Sequence, residues 1–344
     1  MDNAKKENAL SWVKKKWAGQ PMFSTAIALV IIMILQTMAL GFEYPSFGAW
    51  FSSWMTNWLN ILRNNAGIGI IALGMTFVIL SGGIDLAVGS TLVAIGAVVM
   101  MMIDSGPQGV LAGFGITGVP AYILGILIGM IFGAFLGWIS GMLVTLGRIP
   151  PFIATLGIMK ISRSVTQHFM QGYTPTVPQP FLKIANLTIG GQMIMPLLYW
   201  IAIAVILYIV SRKTTFGRHV YAIGSNEKAA KLSGVNANLV KCMVYVLMGL
   251  LVAVSSILQV SRIGSMDYAN AGSGYEMDAI AAVIVGGTRM SGGRGSIGGT
   301  VLGTLIIATM NNLLNLMGVP PFLREAFKGL IVIAAVILQK KDQD

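Results

Sequence analysis

Residues 286–295 (Gly286, Gly287, Thr288, Arg289, Met290, Ser291, Gly292, Gly293, Arg294, Gly295) come closest in this sequence to a phosphate cradle. A nucleotide loop needs glycines that expose backbone N–H groups, then a lysine and a hydroxyl, set between a strand and a helix. No Gly-x-x-x-x-Gly-Lys-Ser/Thr string occurs anywhere, and 286–295 lies between two apolar runs. It reads as a tight inter-helix turn carrying two arginines, so an ATPase site of this type is not expected. Carboxylates are equally sparse. Of the 12 Asp and Glu, only Asp85, Glu276 and Asp278 adjoin apolar runs, each near an end. Ion-coupled carriers place carboxylates or histidines among their spans. Asp85, just before an apolar run, reads as a helix N-cap whose carboxylate accepts free N–H groups. The alternative is a coupling-ion ligand. Glu276 and Asp278 read as first-turn acids on a helix dipole. His168, His219 and the single cysteine, Cys242, make no metal-ligand spacing and no Ser/His/Asp set. No catalytic residue, metal or cofactor is expected.

The elements that must position these residues follow from composition. The chain has 344 residues, 55% hydrophobic and only 10% charged, with a mean hydropathy of +0.77. A soluble protein carries about a quarter of its residues as Asp, Glu, Lys and Arg. This is therefore a membrane protein, and its apolar runs are continuous rather than alternating, which excludes a β-barrel. The expected fold is all-α and polytopic, one transmembrane domain over 1–344 with about ten spanning helices. The runs fall at 23–42, 66–81, 88–103, 119–146, 151–170, 193–211, 239–261, 277–290, 297–316 and 322–338. Threaded alternately, they place 16 Lys and Arg inside and 5 outside, with Lys160 and Arg163 left within the fifth run. That bias puts both termini in the cytoplasm and assigns the net charge of +11 to inner loops rather than to nucleic acid. The first run is long enough to span and no small-residue cleavage site follows it, so it does not read as a signal peptide.

Between the runs, Trp50, Trp54 and Trp58 sit in an outer loop and read as an interfacial belt. Ser81, Gly82, Gly83, Gly89 and Ser90 match Ser291, Gly292, Gly293, Gly299 and Thr300 at a constant offset of 210. Either a parallel internal repeat or common turn chemistry explains these hairpin turns, which include Gly82, Gly83, Asp85, Gly292 and Gly293. Thr76, Thr155, Ser255, Gln259, Asn311, Asn312 and Asn315 lie in apolar runs. They could offer hydrogen bonds to a hydroxylated solute along a path, or simply join helices. In the largest inner loop, 211–240, Ser225 or Asn226 can cap a short helix, Glu227 and Lys231 pair at i,i+4, and Gly234 suits a left-handed stop. Ala229 and Ala230 expose little side chain, so the helix could seat in a partner's groove. A solvated helix with no partner is the competing reading.

That loop, with Asn226, Glu227, Ala229, Ala230, Ser233, Gly234 and Val235 in order, resembles the Glu-Ala-Ala-type coupling loop of ABC importer permeases, in the variant of the ribose-type simple-sugar group. The resemblance extends to Asn60, Ile61, Leu62 and Arg63, to 74–86, to 151–157, to 274–282 followed by Gly286, Gly287 and Thr288, and to Asn311, Asn312, Leu313, Leu314, Asn315 and Leu316. The first 55 residues and 104–120 match little. The resemblance implies an inner-membrane permease without its own ATPase. Two copies would form the pathway, ABC ATP-binding subunits would dock inside on Asn226, Glu227, Ala229, Ala230, Ser233 and Gly234, and an external sugar-binding protein would deliver a ribose-like monosaccharide. A nucleoside, amino acid or signalling sugar as cargo, or an ion-coupled secondary carrier, are the alternatives.

Overall fold

The computed structural model describes residues 21–341. Helices dominate: α1 Pro21–Leu40, α2 Phe47–Leu80, α3 Val88–Ile103, α4 Val110–Gly113, α5 Val119–Thr145, α6 Pro151–Met170 and α7 Gln179–Asn186. A two-residue hairpin, β1 Thr188–Ile189 and β2 Gln192–Met193, precedes α8 Met195–Lys213. Then come α9 Thr215–Ser225, α10 Glu227–Leu232, α11 Ala237–Ile263, α12 Tyr275–Val285, α13 Ile297–Leu316 and α14 Pro321–Lys341. Each of the ten apolar runs carries a helix. Among the described residues, α2, α5, α8, α11 and α13 are long and apolar enough to cross a membrane; Thr25–Leu40 and α3 are shorter apolar helices. The chain is thus an α-helical polytopic membrane protein. The expected cytoplasmic lysines before residue 21 lie outside the described residues.

Two of the expected spans are corrected. The second begins not at 66 but at Phe47, so α2 has 34 residues and is about 51 Å long, well beyond a bilayer core. The expected belt loop is helical. Ser46 caps it by accepting from Ala49 N, and Trp50, Trp54 and Trp58 recur every four residues and meet ring to ring, at 6.5 and 6.1 Å. Stacking at helical spacing keeps the backbone wound where aromatic and polar content suggested a loop. The eighth run yields α12 with 11 residues, about 16 Å, half of what a span requires.

The core wraps the second half of α2, where every residue from Gly69 to Leu80 is buried, and α8, α11, α12 and α13 pack around it. α5 carries buried glycines at every fourth position: Gly125 and Gly129 lie against Ile103 and Val99 of α3, and Gly133, Gly137 and Gly141 against Gly249, Tyr245 and Cys242 of α11. A Cβ at Gly137 would overlap the carbonyl oxygen of Tyr245, so the two backbones approach as only small-residue faces allow. The loop after α6 is pinned to the end of α3 by Asp104, whose carboxylate accepts from Tyr173 Oη, Gly106 N and Thr176 N. Burial works against the ionised carboxylate, but these three donors together hold its pKa below the usual range.

Candidate functional site: a short exposed helix and the turns it rests on

Local chemistry builds the unit formed by α9 and α10. Thr214 caps α9 by accepting from Gly217 N at 3.2 Å. Asn226 closes α9 and opens α10, its Oδ1 accepting from Ala229 N at 3.0 Å. Gly234 ends the helix at φ 83°, and Val235 N donates back to Ala230 O at 3.1 Å, which satisfies a carbonyl freed at the helix end. Glu227 joins Lys231 at 2.8 Å and, across the loop, Lys241 of α11 at 2.6 Å. Those two bonds lower the Glu227 pKa, so the link between α10 and α11 stays ionised through the neutral range.

The face that α10 presents differs from the expectation. Ala230 is only 5% exposed and packs into the protein's own core, whereas Leu232 is 91% exposed. Lys228, Ala229 and Ser233 are exposed beside it. The knob is therefore an alanine and a leucine edged by lysine and serine, and Ala230 belongs to its seat.

α9 is seated on the end of α2. Phe216 stacks on Phe77 at 6.1 Å, Val220 and Ile223 are buried, and Tyr221 Oη donates to Gly295 O at 2.9 Å. At this end three segments meet backbone to backbone. Gly293 N donates to Leu80 O at 3.0 Å. A Cβ on Gly224 would overlap that same Leu80 carbonyl, and one on Gly293 would lie 2.7 Å from Ser225 N. Gly82 (φ 79°), Gly292 (φ 86°) and Gly293 (φ 72°) have left-handed backbones, which glycine adopts without steric cost. The two turns related by the 210-residue offset thus touch each other, and both touch the residues that lead into α10. Asp85 stands nearby but is not the formal cap: its Oδ1 accepts from Ala87 N at 2.9 Å, and Ala87 itself occupies the capping position of α3. Its short reach, two residues on, closes an Asx turn instead.

Residues 57–336 match the family described as branched-chain amino acid transport system / permease component. The chain belongs to this permease family. Ribose import permease protein RbsC of Bacillus subtilis (strain 168) is 45% identical over 294 residues, covering 83% of this chain and 85% of that protein. RbsC of Escherichia coli (strain K12) is 37% identical over 321 residues, 92% of each chain. The galactofuranose transporter permease protein YtfT of the same strain is 35% identical over 285 residues, 82% of this chain and 79% of that one. No solved structure matches. Membership in this family, with the apolar helices, makes the chain a multi-pass protein of the inner membrane and a transport subunit rather than an enzyme.

The weakly polar residues of the permease do not converge on one site. Thr76 donates to Ala72 O at 2.9 Å and shares a 2.6 Å hydrogen bond with Thr300. Thr155 donates to Pro151 O and accepts from Leu86 N. Asn312 accepts from Gln36, and Asn315 from Arg324. The bonds to Ala72 O and Pro151 O lie within one helix, that from Leu86 N ties α6 to the turn before α3, and the Thr76–Thr300, Gln36–Asn312 and Arg324–Asn315 bonds join helices. Gln259, which accepts from Tyr275 Oη at 3.2 Å, lines a recess at the opposite end from α10 with Arg63, Arg262, Tyr275 and the buried Ser255. Asn311 Oδ1 is buried without a hydrogen bond. Among the described residues, no three His, Cys, Asp or Glu side chains are placed to hold a metal.

The reading of Asp278 as a mere dipole acid is incomplete. Its carboxylate pairs with Lys328 Nζ of α14 at 2.9 Å, with side chains 8% and 14% exposed. Lys328 is thus not a loop charge but the tie between α12 and α14. Removing one partner of a buried pair strands the other charge and costs about 3–5 kcal/mol. Lys328→Met should therefore lower the thermal midpoint of the purified permease sharply, while Lys328→Met with Asp278→Leu should regain most of it. Equal midpoints for wild type and the single variant would refute the tie.

Proposed function

We propose that this chain is the permease subunit of an ATP-driven importer for a simple sugar of the ribose type. It works as a homodimer, with ABC ATP-binding subunits on α10 in the cytoplasm and a sugar-binding protein outside. One observation carries the coupling reading: α10 is capped at both ends, holds Leu232 into solvent, and stands on the turns that end α2 and precede α13. Leu232 is turned away from the chain's own core, and a partner's surface that covered it would remove that apolar side chain from water. The sugar reading draws on the relatives, among them two ribose import permeases and a galactofuranose permease.

The family description, which mentions branched-chain amino acids, favours a second reading in which the cargo is an amino acid. Competition decides between them. With the cognate binding protein present, excess unlabelled ribose should abolish uptake of labelled ribose, and excess leucine should leave it unchanged. The reverse pattern would transfer the permease to the amino acid group.

A further inference from the structure

The recess at the end of the bundle opposite α10 is lined by two arginines and no acid. Arg63 comes from α2, Ser255, Gln259 and Arg262 from α11, and Tyr275 from the start of α12, with the exposed Asn64 beside them. Arg63 lies 17 residues before Leu80, the far end of α2, or about 26 Å from it. The site is therefore near the edge of a 30 Å hydrocarbon core.

Nothing inside the chain explains these arginines. Among the described residues neither makes an ion pair. Arg262 is in the last turn of α11, where a cation can serve free carbonyls. Those of Ser261 and Arg262 already accept from Asn186 Nδ2, both at 3.1 Å, and that of Val260 accepts from Gly264 N at 2.8 Å. The guanidinium is not needed as a cap. Its Nη1 donates instead to Asn64 Oδ1 at 2.9 Å, and Tyr275 Oη donates to Gln259 Oε1 at 3.2 Å. These two bonds turn the amide oxygens toward the chain's own donors. What Asn64 and Gln259 have left to offer is Nδ2 and Nε2, which only donate.

A second observation points the same way. Ser255 lines the recess, is 1% exposed, and its Oγ has no hydrogen-bond partner. A buried hydroxyl left unpaired is costly. Gly67 of α2 keeps the space beside it open, since a Cβ there would stand 2.9 Å from that Oγ.

We infer that this recess binds an oxyanion of the phosphate class, held between Arg63 and Arg262 with one oxygen accepting from Ser255 Oγ. Two guanidiniums in one half-buried recess repel each other until an anion lies between them, and their planar forks suit phosphate oxygens. The recess is small, about 20 Å³, which is room for roughly one or two water-sized groups. A pentose ring does not fit it, so it is no station for the sugar, whereas the oxygens of a small anion do. Its level at the membrane edge admits two sources of the same chemistry, free phosphate from the water and the headgroup of a phospholipid.

The test is the thermal midpoint of the full-length permease, purified in a phosphate-free maltoside detergent. A ligand that binds the native state alone raises the midpoint as its concentration rises. Inorganic phosphate replacing chloride at constant ionic strength probes the free anion. Short-chain phosphatidylglycerol, against a diacylglycerol of the same chains, probes the headgroup. At least one phosphate-bearing probe should stabilise the wild type saturably, and which one does so identifies the source. Arg63→Gln, which breaks no ion pair, should bind that probe at least about tenfold more weakly. Ser255→Ala should bind it several-fold more weakly yet, without ligand, melt no lower than wild type, because it removes an unpaired buried hydroxyl. That combination separates lost binding from a folding defect. No response to either probe beyond its chloride or diacylglycerol control would overturn the site, as would equal responses in the wild type and both variants.

Discussion

Leu232→Asp should leave the permease folded and inserted but unable to retain its ATP-binding subunit. Leu232 is 91% exposed at the tip of α10, so its replacement removes no contact within the chain. If it anchors an interface, truncating it costs about 2 kcal/mol, roughly thirtyfold in affinity. A carboxylate forced into an apolar groove adds an unpaired buried charge to that loss. Co-purification of the ATP-binding subunit with affinity-tagged permease measures the effect. Ala230→Leu makes the complementary case. Its 5% exposure puts the added methylenes into the permease's own core, at about 1–3 kcal/mol. That variant should therefore lower the thermal stability of the isolated permease, which Leu232→Asp should not. A Leu232→Asp complex of normal composition would remove α10 as the docking element.

Gly224→Val should uncouple the machine without dismantling it. The α9 helix is held to α2 by Phe216, Val220 and Ile223, and none of these contacts is touched. At Gly224, however, any Cβ overlaps the Leu80 carbonyl that Gly293 N also uses. The valine must push α9 off the joint between the two hairpin turns, at about 1–3 kcal/mol for overpacking, several times RT. The expected result is an assembled complex whose ATP hydrolysis persists while sugar moved per ATP falls about tenfold or more, with Gly224→Ala intermediate. An unchanged ratio of sugar to ATP would show that force from α10 travels by another route.

How far the sequence revealed these features depended on the strength of local signals. The bounds of α6 were legible to the residue, because Pro151 supplies a helix start and Gly172 a left-handed stop. The α10 helix was legible through its caps at Asn226 and Gly234. Its orientation was not: in six residues no apolar period exists to say that Ala230 turns inward and Leu232 outward. The length of α2 was hidden because tryptophans spaced by four suit both an interfacial loop and a helix. α12 read as a span because its short apolar run was carried on to Met290, through Gly286 and Gly287, where the chain in fact turns. The two cations of α6 were obscured for another reason. Lys160 and Arg163 interrupt an apolar run, and only the packing shows that Lys160 faces outward while Arg163 holds the carbonyls of Tyr268 and Ala271. Likewise the glycine ladder of α5 looks like ordinary apolar sequence until α3 and α11 are laid against it.

The central claim, that ATP rather than an ion gradient drives this permease, is tested most directly by uptake into proteoliposomes. The purified permease is reconstituted with its ATP-binding subunit, with the sugar-binding protein added outside and ionophores collapsing proton and sodium gradients. Ribose accumulation should require enclosed ATP, the ATP-binding subunit and the binding protein together, and should be unaffected by the ionophores. Accumulation by the permease alone, without ATP and abolished when an ion gradient is collapsed, would contradict it.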